Sequence, residues 1–171
     1  MVAAAGNEAS NSESQPFYPA NYRLPNILSV TAINESVRGD EWVPTSNFGT
    51  RSVAVAAQGK DVKSTLPGGR YGRMTGTSQA TAFVTAGAVR ILEVDRAEKR
   101  KTSPEEIIER LVVGSKSSPV LNGKTKYGSK LETTRALAFK NDRGQDDDRK
   151  ALRKALRDEL TVRAKVSAFG L

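Results

Sequence analysis

Apolar runs and polar stretches alternate along the first half of the chain. Val2-Ala3-Ala4-Ala5 leads straight into Gly6-Asn7 with no turn or cap before it, the pattern of a short buried strand. A domain rarely begins in the middle of a core strand, so the expectation is a piece of a larger body. Residues 9 to 26, rich in Ser, Asn, Gln and Pro, read as loop and include Phe17-Tyr18-Pro19-Ala20. Ile27 to Ile33 is apolar and β-branched, a second strand, and 34 to 50 is a second loop that holds Trp42 and ends in Ser46-Asn47-Phe48-Gly49. Ser52 to Ala57 reads as a third buried strand.

The pattern then changes period. Glycines at 59, 68, 69, 72 and 76 and Pro67 make Gln58 to Gly76 a loop with room for a short hairpin around Gly68-Gly69. Thr77 to Glu93 is apolar almost all round at its start, which predicts a helix buried in a larger body. Ser103 as N-cap, Pro104 at the first position and Glu106 at the third open another helix, with Ile107, Ile108, Leu111 and Val112 on one face; this one is expected at the surface. After a loop over 114 to 130 comes a short helix around Leu131 to Phe139. Beyond Asn141, the Asp146-Asp147-Asp148 run and Leu152, Leu156 and Leu160 at a spacing of four predict a separate amphipathic helix. The division is thus 1–139 for the main domain and 140–171 for a helical tail.

Composition narrows the chemistry. The 171 residues contain no cysteine and no histidine, which excludes disulfides, zinc-thiolate sites, thiol nucleophiles and any imidazole base within the chain. The net charge of +8 is uneven: residues 1 to 95 hold 8 basic and 8 acidic side chains, so the excess lies downstream. There the bases are interleaved with acids, as on solvated helix faces, and aromatic residues are only 6%. Neither a nucleic-acid nor a membrane partner is expected. The start of the chain lacks the basic and apolar regions of an export signal.

Gly76-Thr77-Ser78-Gln79-Ala80 puts a serine at the start of a helix directly after a glycine-rich loop. The first N–H groups of a helix lack intrahelical partners, so an oxyanion forming beside Ser78 could be held by the Ser78 amide. The plainer alternative makes Thr77 or Ser78 a simple N-cap. Gly-Thr-Ser-x-Ala together with Ala-Ala-Gly-Asn at 4 to 7, in this order and spacing, resembles the subtilisin-like serine protease family (subtilases, peptidase S8). Tyr18-Pro19-Ala20, the Ser46-Asn47-Phe48-Gly49 element and the Tyr127-Gly128 to Leu137 segment add to the resemblance, which covers about residues 1 to 139. Departures occur at Gln58, where the family usually has proline, and at Gln79, Ala82 and Phe83 around the serine.

The resemblance implies an α/β fold, the C-terminal portion of a parallel-sheet three-layer sandwich, here followed by the amphipathic helix. It implies a serine endopeptidase acting on peptide or protein substrates, with Ser78 as acylated nucleophile and Asn7 as side-chain donor of the oxyanion hole. Ala4, Gly6 and Phe17 match positions that shape the specificity pocket, and a phenylalanine at 17 would crowd its base and favour small or medium side chains. No cofactor is expected; calcium occurs in the family, but no acidic ligand loop stands out. The family's Asp and His precede the oxyanion asparagine in chain order. The resemblance therefore implies a missing N-terminal half carrying both, and a chain that is inactive and marginally stable alone, with one strand edge and one face of the nucleophile helix uncovered. For the full-length protein it implies secretion or the cell envelope. The alternative is a non-catalytic remnant that binds a protein partner through its C-terminal helix.

Overall fold

A computed structural model describes residues 1–22, 24–138 and 147–168. The elements in chain order are β1 (Val2–Ala4), β2 (Leu28–Ser36), β3 (Gly39–Trp42), β4 (Val55–Gln58), β5 (Val62–Leu66), β6 (Arg70–Met74), α1 (Thr77–Ala97), α2 (Pro104–Val113), β7 (Lys116–Ser117), β8 (Ser129–Lys130), α3 (Thr133–Ala138) and α4 (Asp147–Ala168). The boundary expected at 139/140, the end of the short helix at Phe139, and Asp146 lie outside the described residues.

β1, β2, β4 and β8 run parallel in that order, with β3 and β7 added antiparallel on β2 and β8. Six consecutive residues of β2, Leu28 to Ile33, are buried, as a parallel strand covered on both faces requires. Leu28, Val30 and Ala32 join Val55 and Ala57 in the core cluster that also takes in α1, α2, α3 and α4. Residues of the other parity, Ile33 and Ala56, pack with Leu121 on the opposite face. Among the described residues, β1 pairs on one side only, with β2.

The structure departs from the sequence reading in several places. The loop expected over 34 to 50 contains β3, which folds back so that Trp42 pairs with Ile33. The hairpin expected around Gly68-Gly69 is present, as β5 and β6 paired from Val62↔Met74 to Leu66↔Arg70. α1 extends to Ala97 rather than Glu93. Its last turn carries Asp95, only 1% exposed, whose two oxygens accept from Arg110 Nη1 at 2.8 and 2.9 Å. Burial alone would raise the Asp95 pKa, but the Thr102 hydroxyl and the Arg110 guanidinium overcome it and hold the carboxylate below its ordinary value.

α2 has the expected Ser103–Glu106 capping box but not the expected surface position. Its last six residues, Ile108 to Val113, are all buried. The reason is tertiary: α1 and α3 pack against it, and α4 covers it further. Leu156 and Leu160 of α4 are buried in the main core, and Glu109 of α2 is paired with Arg153 and Arg157. Among the described residues no helix is long and apolar enough to cross a membrane.

Candidate active site

The site forms where β1 ends and α1 begins. The Asn7 side-chain oxygen accepts from the Thr77 backbone N–H at 2.9 Å and lies 3.2 Å from the Thr77 hydroxyl. Because a backbone N–H can only donate, the amide of Asn7 has one possible orientation: oxygen toward Thr77, Nδ2 away from it. That Nδ2 makes no hydrogen bond to the described residues, and Asn7 is exposed. Thr77 itself is fully buried, and Gly6 N–H donates to its hydroxyl at 3.2 Å.

Gly76 is the N-cap of α1 and offers no side-chain cap; the acceptor for the first helix N–H, that of Thr77, comes from Asn7 instead. The capping alternative for Thr77 and Ser78 is therefore not what folds. Thr77 faces inward to fix Asn7, and Ser78, the second residue of the helix, is exposed in its first turn, where backbone N–H groups lack intrahelical partners. Gln79 folds back over the cap, its Oε1 among the atoms closest to Gly76 together with the Asn7 amide.

Two residues hold this corner in place. Asn47, only 1% exposed, accepts from the N–H groups of Glu8 (2.9 Å) and Ser10 (3.1 Å) and donates to Ala5 C=O (3.0 Å) and the Glu8 carboxylate (2.7 Å). It thus grips the loop on both sides of Asn7. Gly59 sits where a Cβ would fall 2.5 Å from the Ala32 Cβ and 2.8 Å from the Gly76 carbonyl, and its own carbonyl accepts from Gly76 N–H at 2.8 Å. Only glycine lets the sheet approach the helix start this closely.

Of the residues expected to shape a pocket, Gly6 and Phe17 meet: a Cβ on Gly6 would lie 3.0 Å from the Phe17 ring. Gly6 has φ +107, a conformation that a side chain would strain. Ala4 is half-buried at the end of β1, opposite Val30. Sequence reasoning quoted Asn47 and Gly59 within motifs without a role and offered Thr77 only as a possible N-cap, because their partners lie 39, 17 and 70 residues away. Among the described residues no group of three or more carboxylates converges as a metal site would need.

This arrangement can be compared with known proteins. A model of the subtilase family matches residues 1–147. The chain belongs to the subtilase family. Subtilisin-like protease 2 of Plasmodium falciparum (isolate 3D7) is 32% identical over 109 residues, 64% of this chain and 8% of that protein. Subtilisin E of Bacillus subtilis (strain 168) is 43% identical over 93 residues, 54% of this chain and 23% of that one. The intracellular serine protease of Paenibacillus polymyxa is 33% identical over 119 residues, 66% and 35% of the two chains. A solved structure of the subtilase cytotoxin SubAB assembly has a TM-score of 0.71 at 22% identity, a likeness of fold, and covers 80% of this chain and 47% of that one. The self-cleaved protease domain of PatA gives 0.63 at 26% identity, with 81% and 49% covered. This subtilase chain spans about half the length of those structures and about a third or less of the curated relatives.

Proposed function

We propose that this chain carries the nucleophile and the oxyanion hole of a subtilisin-like endopeptidase. Ser78 Oγ attacks the scissile carbonyl as a base takes its proton; the carbonyl oxygen, turning negative, accepts from Asn7 Nδ2 and the Ser78 N–H; the C–N bond breaks, the amine leaves with that proton, and water then hydrolyses the acyl-serine ester to the free acid and serine. The observation that carries this reading is the locked Asn7 amide. Its oxygen is engaged by Thr77, so its only free donor is presented beside the helix start where Ser78 sits. A donor oriented before the reaction costs no reorganisation when charge develops.

The proposed reaction runs on side chains and backbone amides and calls for no cofactor. It does need a general base. The 171 residues contain no histidine, so the base and its aspartate come from a segment outside them. The free side of β1 and the exposed apolar residues Phe83, Val89 and Leu92 of α1 support such a segment as a packing partner. Phe17 against Gly6 supports a shallow pocket and a preference for small or medium side chains before the cleaved bond. The competing role for α4, docking onto a separate protein, is disfavoured because Leu156 and Leu160 are already buried in this chain's own core.

A serine-directed fluorophosphonate probe tests the reading. Ser78 is expected to label strongly when a subtilase segment carrying Asp and His is supplied, and weakly without it; Ser78→Ala abolishes the label. Equal labelling without that segment would overturn the need for an outside base, and none with it would overturn the nucleophile.

A further inference from the structure

The hairpin that leads into the nucleophile carries an unneutralised charge. Between Lys60 and Met74 stand Lys60, Lys63, Arg70 and Arg73 against a single acid, Asp61. Among the described residues none of these four side chains forms an ion pair, whereas Arg51, Arg90, Arg110, Lys126 and Lys130 each sit on a carboxylate.

The register sharpens this. Lys63 pairs directly with Arg73, and Thr65 with Tyr71, so two cations, a hydroxyl and an aromatic ring share one face. Like charges directly opposite each other destabilise a hairpin unless an anion joins them. Tyr71 is 69% exposed, and the Lys63 ammonium stands 5.6 Å from its ring centre. On the other face Leu66 folds against Gly72, so the apolar contact of the hairpin is made away from Lys63 and Arg73.

The hairpin is also anchored to the site. Its base is tied by Gly76 N–H to Gly59 C=O (2.8 Å), Asp61 N–H to the Thr75 hydroxyl (3.0 Å) and Arg73 Nη1 to Asp61 C=O (2.7 Å). Arg73 precedes Ser78 by five residues, so the two Cα atoms are at most about 18 Å apart, the reach of about five extended residues.

We propose that the face of Lys63, Tyr71 and Arg73 binds an acidic stretch of the polypeptide substrate, with Asp or Glu side chains within about five residues of the cleaved bond. Carboxylates bridge the opposed cations, and Tyr71 covers the apolar part of the same stretch. The inference rests on the protease reading for the peptide to be a substrate, but the binding can be measured without catalysis.

The test is fluorescence anisotropy with labelled decapeptides that differ only in a central Glu-Glu-Glu, Gln-Gln-Gln or Lys-Lys-Lys. The Glu peptide is expected to bind roughly tenfold tighter than the Gln peptide, the worth of one charge-assisted contact, and to weaken with salt. Lys63→Glu with Arg73→Glu removes that preference; Lys63→Gln alone halves it or more without touching the hairpin's base; Lys63→Arg retains it; Ser78→Ala leaves it intact. Equal affinity for the Glu and Gln peptides, an unchanged preference in both Lys63→Gln and the double variant, or tighter binding of single-stranded DNA or a phosphopeptide than of the Glu peptide overturns the proposal. Binding without fluorophosphonate labelling in the presence of a subtilase segment carrying Asp and His sinks the protease reading and spares this one; labelling without charge preference does the reverse.

Discussion

Asn47 has every side-chain hydrogen-bonding group engaged on the loop that carries Asn7, so it positions the proposed oxyanion donor without reaching a substrate itself. Asn47→Ala leaves buried N–H and C=O groups unpaired and is expected to cost about 2–4 kcal/mol, seen as a lower melting temperature. In the complemented protein it also slows labelling of Ser78. Asn7→Ala strips the Thr77 N–H of its acceptor and should cost about 1–2 kcal/mol of stability, while turnover of the complemented protein falls further; the family example for losing the oxyanion asparagine is about 10²–10³. A larger loss of stability than of turnover would mean that Asn7 is structural. Gly59→Ala drives a methyl into Ala32 and the Gly76 carbonyl, an overpacking cost of about 1–3 kcal/mol. The motifs from which Ser78 and Asn7 are proposed as nucleophile and oxyanion donor were legible in the sequence because each is contiguous. Asn47 and Gly59 were not, since what they do depends on chain segments brought together by folding.

The misjudged elements are those whose environment is set by a neighbour. α2 has a polar face by composition, yet Glu109 and Arg110 on it are buried because each meets an opposite charge from another helix. α4 carries the leucine spacing that the sequence announces, but nothing local says where those leucines go. Leu156→Ala is expected to cost about 2–4 kcal/mol if the helix is fixed as found, since it empties a well-packed site. An unchanged thermal melt would detach α4 from the domain. Removing one side of the buried ion pair, Asp95→Ala, should cost about 3–5 kcal/mol because it strands Arg110.

At the scale of the molecule, acid should weaken the helical layer. The folded Asp95 pKa lies below the ordinary value of 3.8, so its contribution is fully present above that value and is lost as pH falls through the folded one. Asp40 acts in the same direction: burial opposes its charge, but Lys130 and Ser118 outweigh that. Melting temperature measured from pH 6 downward should therefore fall in the acid range, and Asp95→Asn should flatten that slope. A second whole-molecule property is the open edge. Adding a subtilase segment that pairs with β1 should raise the melting temperature, with protection of the Val2–Ala4 amides in hydrogen exchange. Amides already protected to the same degree in the chain alone would contradict this.

By itself the sequence determined the parallel-strand runs, the helix after Gly76, the capping box and the absence of an imidazole, all of which depend on residue type and short-range spacing. Tertiary structure alone decided that Thr77 points inward to orient Asn7 rather than cap a helix, that α2 is interior, and that the leucines of α4 close this chain's own core. Each of those outcomes depends on which distant surface a side chain meets, and the free energy of that contact exceeds the local preference that the sequence displays.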